Sequence, residues 1–154
     1  MKRLFYLSLL VFCFFSCGDK EEDNKDMQKP VIYTDELCVP MDCQSFTVGE
    51  TIHFSYIFKD NKELGSYNIE IHNNFNHHTH STSSVECEKE ETKQPVKAWV
   101  YNKDFSIPTG LKEYSAKIDI PIPQDIDKGE YHFMIRLTDR SGWQELKSVA
   151  IRIL

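Results

Sequence analysis

Hydrophobic and polar residues alternate in several runs along the chain. In the clearest run, residues 51–58, every second residue is aromatic or isoleucine. The same alternation recurs in residues 66–72, 114–122, 130–138 and 143–153. A period of two is typical of a β-strand with one buried face, so each run predicts a strand.

Two shorter segments add to these strands. Residues 30–33 open with Pro30, which suits an edge strand, and residues 96–101 around Trp99 predict another strand. No long stretch has the spacing of an amphipathic helix. About seven short strands separated by turn residues predict an all-β protein, and within that class a β-sandwich.

A polar stretch without periodicity, residues 73–94, interrupts the strands. Loops of this length are uncommon in compact domains and are usually functional or disordered. Together with His72 the stretch forms a loop over residues 72–94, called here the His-rich loop. Four of the six histidines lie within nine residues of it: His72, His77, His78 and His80.

The first residues predict a secreted, lipid-anchored protein. Lys2 and Arg3 precede an apolar run, residues 4–15, that is too short to span a bilayer. The Ser16-Cys17 pair that follows resembles the lipobox of bacterial lipoproteins. The resemblance implies a signal peptide over residues 1–16, cleavage after Ser16 and a membrane-anchoring lipid on Cys17. An ordinary signal peptide with a chance cysteine is the alternative.

Residues 17–29 are polar and charged, which predicts a flexible, lipidated tether ahead of one domain over residues 30–154. Within the tether, residues 20–23 (Lys-Glu-Glu-Asp) resemble the acidic export signal of Bacteroidota surface lipoproteins. This resemblance implies anchoring in the outer membrane at the cell surface. A generic linker, with the protein on the periplasmic side, is the alternative.

The charge argues against several classes of partner. The chain has a formal net charge of −6, which becomes −8 once the leader removes Lys2 and Arg3. Nucleic acids and anionic membrane faces select basic surfaces, so neither is expected as a partner. No glycine-rich phosphate-binding loop is present, so no nucleotide is expected either. An acidic protein is compatible with binding cations.

Three cysteines remain after the leader and the lipid site: Cys38, Cys43 and Cys87. Disulfides persist in the oxidising cell envelope. We expect a bridge from Cys87 to either Cys38 or Cys43, with the third thiol free. Joint binding of a ligand by all three cysteines is the alternative.

Residues 127–131 have the form D-x-G-x-Y and resemble the tyrosine corner of immunoglobulin-like domains. The resemblance implies an immunoglobulin-like β-sandwich in which Tyr131 opens the penultimate strand and its hydroxyl binds back to the backbone. It also implies that the strands over residues 66–72 and 130–138 pair antiparallel.

That pairing would place His72 beside His132, with Asp125 and Asp127 at the same end of the sandwich. His78 and His80, two apart on an extended segment, would face the same side. His77 would face away, or join them if the loop curls. Neutral imidazoles with nearby carboxylates suit Zn²⁺, Cu²⁺ or Ni²⁺.

A solvated polar loop and a protein-contact loop that senses pH remain alternatives for the histidines. His53 stands alone on its strand and is expected to be structural. The region around the histidines, residues 71–81, together with residues 60–64, 131–133 and 138–143, resembles an uncharacterised family of Bacteroidota lipoproteins, a domain of unknown function. That resemblance implies the envelope location and the fold but no activity.

The sequence lacks the motifs of common enzymes, such as G-x-S-x-G, S-x-x-K and H-E-x-x-H. A metal-dependent hydrolase could be drawn with His72, His78, His80 and Glu70, but a sandwich of this size leaves little wall for a substrate pocket. We therefore predict a non-enzymatic binding module for a transition metal, with an outer-membrane transporter as a hypothetical partner. The alternative is a protein- or carbohydrate-binding lipoprotein that uses exposed aromatic residues; the candidates are Trp99, Tyr101 and Trp143.

Overall fold

The computed structural model of the chain describes residues 25–80 and 87–154. In these residues eight β-strands form two sheets, and no helix is present. The part of the chain described therefore contains no helix able to cross a membrane. The predicted signal peptide, Cys17 and the first part of the tether lie outside the described residues, as do residues 81–86 of the His-rich loop.

The strands divide unequally between the two sheets. They are β1 (Val31–Tyr33), β2 (Gln44–Phe46), β3 (Thr51–Lys59), β4 (Leu64–Asn73), β5 (Tyr101–Ser106), β6 (Glu113–Pro121), β7 (Gly129–Asp139) and β8 (Gln144–Ile153). One sheet has the order β1-β3-β6 and the other β2-β8-β7-β4-β5. All pairings are antiparallel except that of β2 with β8, which is parallel.

A single core lies between the two sheets. The alternation predicted for β3 is confirmed, because the side chains that it points inward are at most 2% exposed; they are Ile52, Phe54, Tyr56 and Phe58. Phe54 of the smaller sheet stacks on Phe133 of the larger sheet, with 5.7 Å between ring centroids. The inner faces of both sheets thus contribute to one hydrophobic cluster.

The predicted strand over residues 96–101 is wrong, because β5 begins only at Tyr101. The Asp127 carboxylate accepts hydrogen bonds from the backbone N–H groups of Val96 and Lys97, at 2.7 and 2.6 Å. These amides are therefore not available to a sheet ladder. β5 itself was not predicted, since an edge strand of mainly polar residues shows no hydrophobic alternation. The three-residue β2 was also missed.

The Tyr131 hydroxyl makes the backbone contact that the tyrosine corner predicts. It donates to the carbonyl oxygen of Asp127 at 2.6 Å and accepts from the backbone N–H of Trp99 at 3.2 Å. Tyr131 is itself buried at the start of β7. One hydroxyl therefore joins β7 to the loop before it and to the segment that leads into β5.

The antiparallel register of β4 and β7 determines which residues lie opposite each other at the two ends of this strand pair. His72 lies directly opposite His132, as the sequence predicts, and Leu64 lies opposite Asp139 at the other end. His72 and Leu64 are eight residues apart, which corresponds to roughly 26 Å along a strand. The histidines and Asp139 therefore occupy opposite ends of the domain.

We expect Tyr131→Phe to lower the free energy of unfolding by about 2 kcal/mol, because it leaves the Trp99 N–H and the Asp127 carbonyl without their partner. Urea unfolding, monitored by circular dichroism, measures this free energy. The control is Tyr114→Phe, because the Tyr114 hydroxyl has no hydrogen bond to any residue that the structure describes. Equal losses in the two variants would contradict the role given to Tyr131.

Candidate metal centre

Three histidine rings converge where β4 ends. Nε2 of His72 lies 3.2 Å from Nε2 of His80 and 3.3 Å from Nε2 of His78. The ligand nitrogens of the three residues all lie within 4.8 Å of one another. Nitrogens that bind one tetrahedral Zn²⁺ at the usual distance are roughly 3.3 to 3.4 Å apart. These three residues, called here the histidine group, therefore already have the spacing of a metal site.

The backbone after β4 turns sharply and brings His78 and His80 to His72. The N–H of Asn74 donates to the Glu130 carbonyl at 2.8 Å, and the N–H of His77 donates to the Asn74 carbonyl at 3.0 Å. His77 has a φ of 55°, in the left-handed region that few L-residues adopt. Phe75 packs edge-on against Tyr131, with 5.4 Å between ring centroids. The turn is thus held by the backbone and by one buried aromatic ring.

Two side chains lie behind the imidazoles of the histidine group, and one of them forms a hydrogen bond. Nδ1 of His78 lies 2.6 Å from Oδ1 of Asn76, so Nδ1 donates and Nε2 keeps its lone pair. Nδ1 of His72 lies 3.1 Å from Oε1 of Glu70, but it is not aligned for a hydrogen bond. Acceptors behind Nδ1 are typical of metal-binding histidines. Asn76 was missed in the sequence, although its position two residues before His78 was the available signal.

His132 lies beside the histidine group but does not belong to it. Its Nε2 donates to the backbone carbonyl of His78 at 3.1 Å, and its ring centroid lies 4.5 Å from that of His80. The side chain is 4% exposed, and its Nδ1 has no partner among the described residues. Through this bond His132 supports the loop that carries His78, and the ligand role expected for it stays a prediction.

His77 faces away from the group. Its Nε2 lies 2.8 Å from Oε2 of Glu130, without the alignment of a hydrogen bond. The same glutamate approaches Arg152 at 4.0 Å. Of the two orientations expected for His77, the structure has the one outside the candidate site.

Asp125 and Asp127, expected as possible additional ligands, have other partners in the structure. Asp125 forms an ion pair with Lys97, and Asp127 binds backbone amides at the start of the same segment. Both carboxylates are therefore engaged away from the histidines. His53, expected to be structural, pairs with Asp119 at 2.7 Å on the surface of the other sheet.

A cavity of about 420 Å³ opens beside the histidine group. Its wall includes His78, His80, Glu130, Arg152 and the Cys43–Cys87 disulfide. This disulfide is one of the two pairings expected, and Cys38 remains as a buried thiol. The bond ties the far side of the His-rich loop to the segment before β2, so the cavity has a covalently fixed wall.

Burial favours the neutral form of His78, His80 and His132. It lowers the pKa of His132 from 6.5 to about 4, and neighbouring histidines add to the effect. Burial, followed by the charge of His72, also lowers the pKa of His78 and of His80. Neutral imidazole is the form that binds metal ions, so the site is ready for a cation near pH 7.

Comparison with known proteins identifies a family but no activity. The family model described as "Domain of unknown function (DUF4625)" matches residues 15–154, a range that includes every residue of both sheets. No curated protein matches the chain. The function therefore has to be inferred from the site itself.

We expect the metal-free protein to lose stability as the pH falls from 6.5 towards 4. The pKa of His132 is about 4 in the folded state and 6.5 in the unfolded chain, so over this window the unfolded chain binds more protons. The loss should be on the order of 2 kcal/mol, measured by urea unfolding with a chelator present. His132→Gln should flatten the profile and His53→Gln should not; a slope unchanged by His132→Gln would contradict this cause.

Proposed function

The chain belongs to the DUF4625 family of domains of unknown function, and we propose that it is a non-enzymatic module that binds a transition-metal ion. The proposed protein ligands are His72, His78 and His80. The observation that supports the proposal is the convergence of their Nε2 atoms, with that of His72 lying 3.2 Å from His80 and 3.3 Å from His78.

Zn²⁺ is the proposed ion. Square-planar coordination, which Cu²⁺ and Ni²⁺ favour, would bring neighbouring nitrogens to roughly 2.8 to 2.9 Å, closer than the distances found. The tetrahedral spacing fits better, and three imidazoles leave a fourth position for water or an incoming ligand. The cavity beside the group gives that ligand a path to the metal.

We propose binding rather than catalysis because the two carboxylates nearest the histidines in the described part of the chain both lie against imidazole nitrogens. Glu70 lies against Nδ1 of His72, and Glu130 lies against His77. In the described ranges, no aspartate or glutamate joins the histidine group. A metal-dependent hydrolase needs a general base close to the metal-bound water.

The proposed fold and location agree with this role. The sheet orders β1-β3-β6 and β2-β8-β7-β4-β5, with the tyrosine corner at Tyr131, support an immunoglobulin-like sandwich. The Ser16-Cys17 pair and the Cys43–Cys87 disulfide support a lipid-anchored protein in an oxidising envelope. An outer-membrane location, at the cell surface and beside a transporter that receives the ion, completes the proposal.

The carbohydrate-binding alternative has less support. Trp99 is buried, and the indole N–H of Trp143 is engaged by the Asp26 carbonyl at 3.0 Å. Stacking on a sugar needs an open aromatic face next to free hydrogen-bonding groups. Neither tryptophan offers this combination, so the histidine group remains the better candidate site.

We expect the purified protein to bind one Zn²⁺ with sub-micromolar affinity in calorimetric titration near neutral pH. The double variant His78→Ala/His80→Ala should weaken binding by at least about 100-fold, because it removes two of three ligands. His53→Ala, which changes an exposed histidine outside the group, should bind as the unchanged protein does.

Two further results complete that titration. Glu70→Gln should weaken Zn²⁺ binding by about tenfold, because it removes the negative charge 3.1 Å from Nδ1 of His72, which makes this imidazole a stronger ligand. Circular dichroism should show that all variants are folded. Equal affinity in the double variant and the unchanged protein would rule out the histidine group as the site.

A further inference from the structure

Three aspartates meet at the end of the domain opposite the histidines. Asp60 lies in the turn between β3 and β4, Asp139 ends β7, and Asp26 lies in the segment before β1. One carboxylate oxygen of each lies within 4.8 Å of the others. This carboxylate cluster is formed by a turn, a strand end and an N-terminal segment that are distant in the sequence.

The existing hydrogen bonds leave buried oxygens free in the cluster. Oδ1 of Asp60 accepts from the N–H groups of Lys62 and Glu63, and Oδ1 of Asp139 accepts from the N–H of Trp143. Oδ2 of each is buried and has no hydrogen-bond partner among residues 25–80 and 87–154. Asp139 is only 4% exposed. A buried carboxylate oxygen without a partner is unfavourable unless something binds it.

The cluster also has little positive charge close to it: Lys62 acts on Asp26, but without forming an ion pair. A hydrogen bond from the N–H of Gln28 is the main cause that lowers the pKa of Asp26, so this carboxylate is ionised near pH 7. Arg140, on the turn beside Asp139, instead pairs with Glu63 at 3.3 Å. In the described part of the chain, no lysine or arginine forms an ion pair with the cluster.

We propose that Asp26, Asp60 and Asp139 form a second cation site, specific for a hard divalent ion, Ca²⁺. Carboxylate oxygens are the ligands that Ca²⁺ prefers, whereas Zn²⁺ favours nitrogen and sulfur. One oxygen of each aspartate lies within 4.8 Å of the others, so one Ca²⁺ with bonds of about 2.4 Å can contact all three. Mg²⁺ loses its bound waters reluctantly and is seldom held by protein carboxylates alone, which favours Ca²⁺ here.

Bound Ca²⁺ would fasten the N-terminal segment to the domain. Asn61 donates to Oδ1 of Asp26 at 3.1 Å, and the Trp143 indole N–H donates to the Asp26 carbonyl at 3.0 Å. These bonds hold Asp26 against two turns that each supply a further carboxylate. The ion therefore fixes the point at which the chain leaves the domain towards its N-terminus, and Trp143 reports on that contact.

The test is a titration of the purified protein with Ca²⁺. Calorimetry gives the affinity, thermal unfolding gives the change in Tm, and fluorescence reports on the tryptophans. We expect one site with a Kd in the range of about 10⁻⁵ to 10⁻³ M, an increase in Tm of at least about 5 °C at saturation, and a change in Trp143 emission. Mg²⁺ should bind at least about tenfold more weakly.

Asparagine variants identify the ligands. Asp60→Asn and Asp139→Asn each keep one oxygen for the existing hydrogen bonds, and each should weaken Ca²⁺ binding at least about tenfold and remove the increase in Tm. If Asp139→Asn fails to fold, Asp60→Asn alone tests the site, because Asp60 is more exposed than Asp139 and its replacement disturbs the fold less. Asp125→Asn, which changes a surface aspartate paired with Lys97, should bind Ca²⁺ as the unchanged protein does.

The two cation sites can be separated. The variant His78→Ala/His80→Ala should retain Ca²⁺ binding. A failure to bind Zn²⁺ would therefore not affect the proposal of a Ca²⁺ site. An unchanged Tm in saturating Ca²⁺, or wild-type affinity in Asp60→Asn, would overturn the proposal.

Discussion

The antiparallel pairing of β4 with β7 is the constraint on which both candidate cation sites depend. It sets His72 opposite His132 at one end and Leu64 opposite Asp139 at the other. The register is fixed by the core, because Ile71 and Phe133 are fully buried neighbours in the same ladder. A slip by one residue would turn His72 into the core and destroy the site, so the hydrophobic core specifies where the histidines stand.

The histidine group combines one histidine on a strand, His72, with two on a loop, His78 and His80. The strand gives His72 a fixed position, whereas His78 and His80 depend on the turn that Phe75 and the Asn74 backbone hold against β7. His132 lies beneath this turn, and its buried ring supports the His78 carbonyl without offering Nε2 to a metal. A bound metal ion would stabilise the close approach of the three Nε2 atoms.

Much of the fold followed from the sequence, because alternation of the kind seen in β3 arises whenever one strand face is buried. β5 and the irregular segment at Trp99 did not follow, since they depend on side chains from elsewhere: the Asp127 carboxylate and the Tyr131 hydroxyl. The density of histidines indicated the site, but the choice among them depended on loop geometry. The carboxylate cluster gave no local signal, because its three members come from separate parts of the chain.

X-ray absorption at the zinc edge would show directly whether three imidazoles bind one Zn²⁺. With one equivalent of Zn²⁺ bound, we expect a first shell of three imidazole nitrogens and one oxygen at about 2.0 to 2.1 Å. The multiple-scattering features of imidazole should weaken when His78 and His80 are replaced. A first shell made mainly of oxygen, with no imidazole scattering, would contradict the claim.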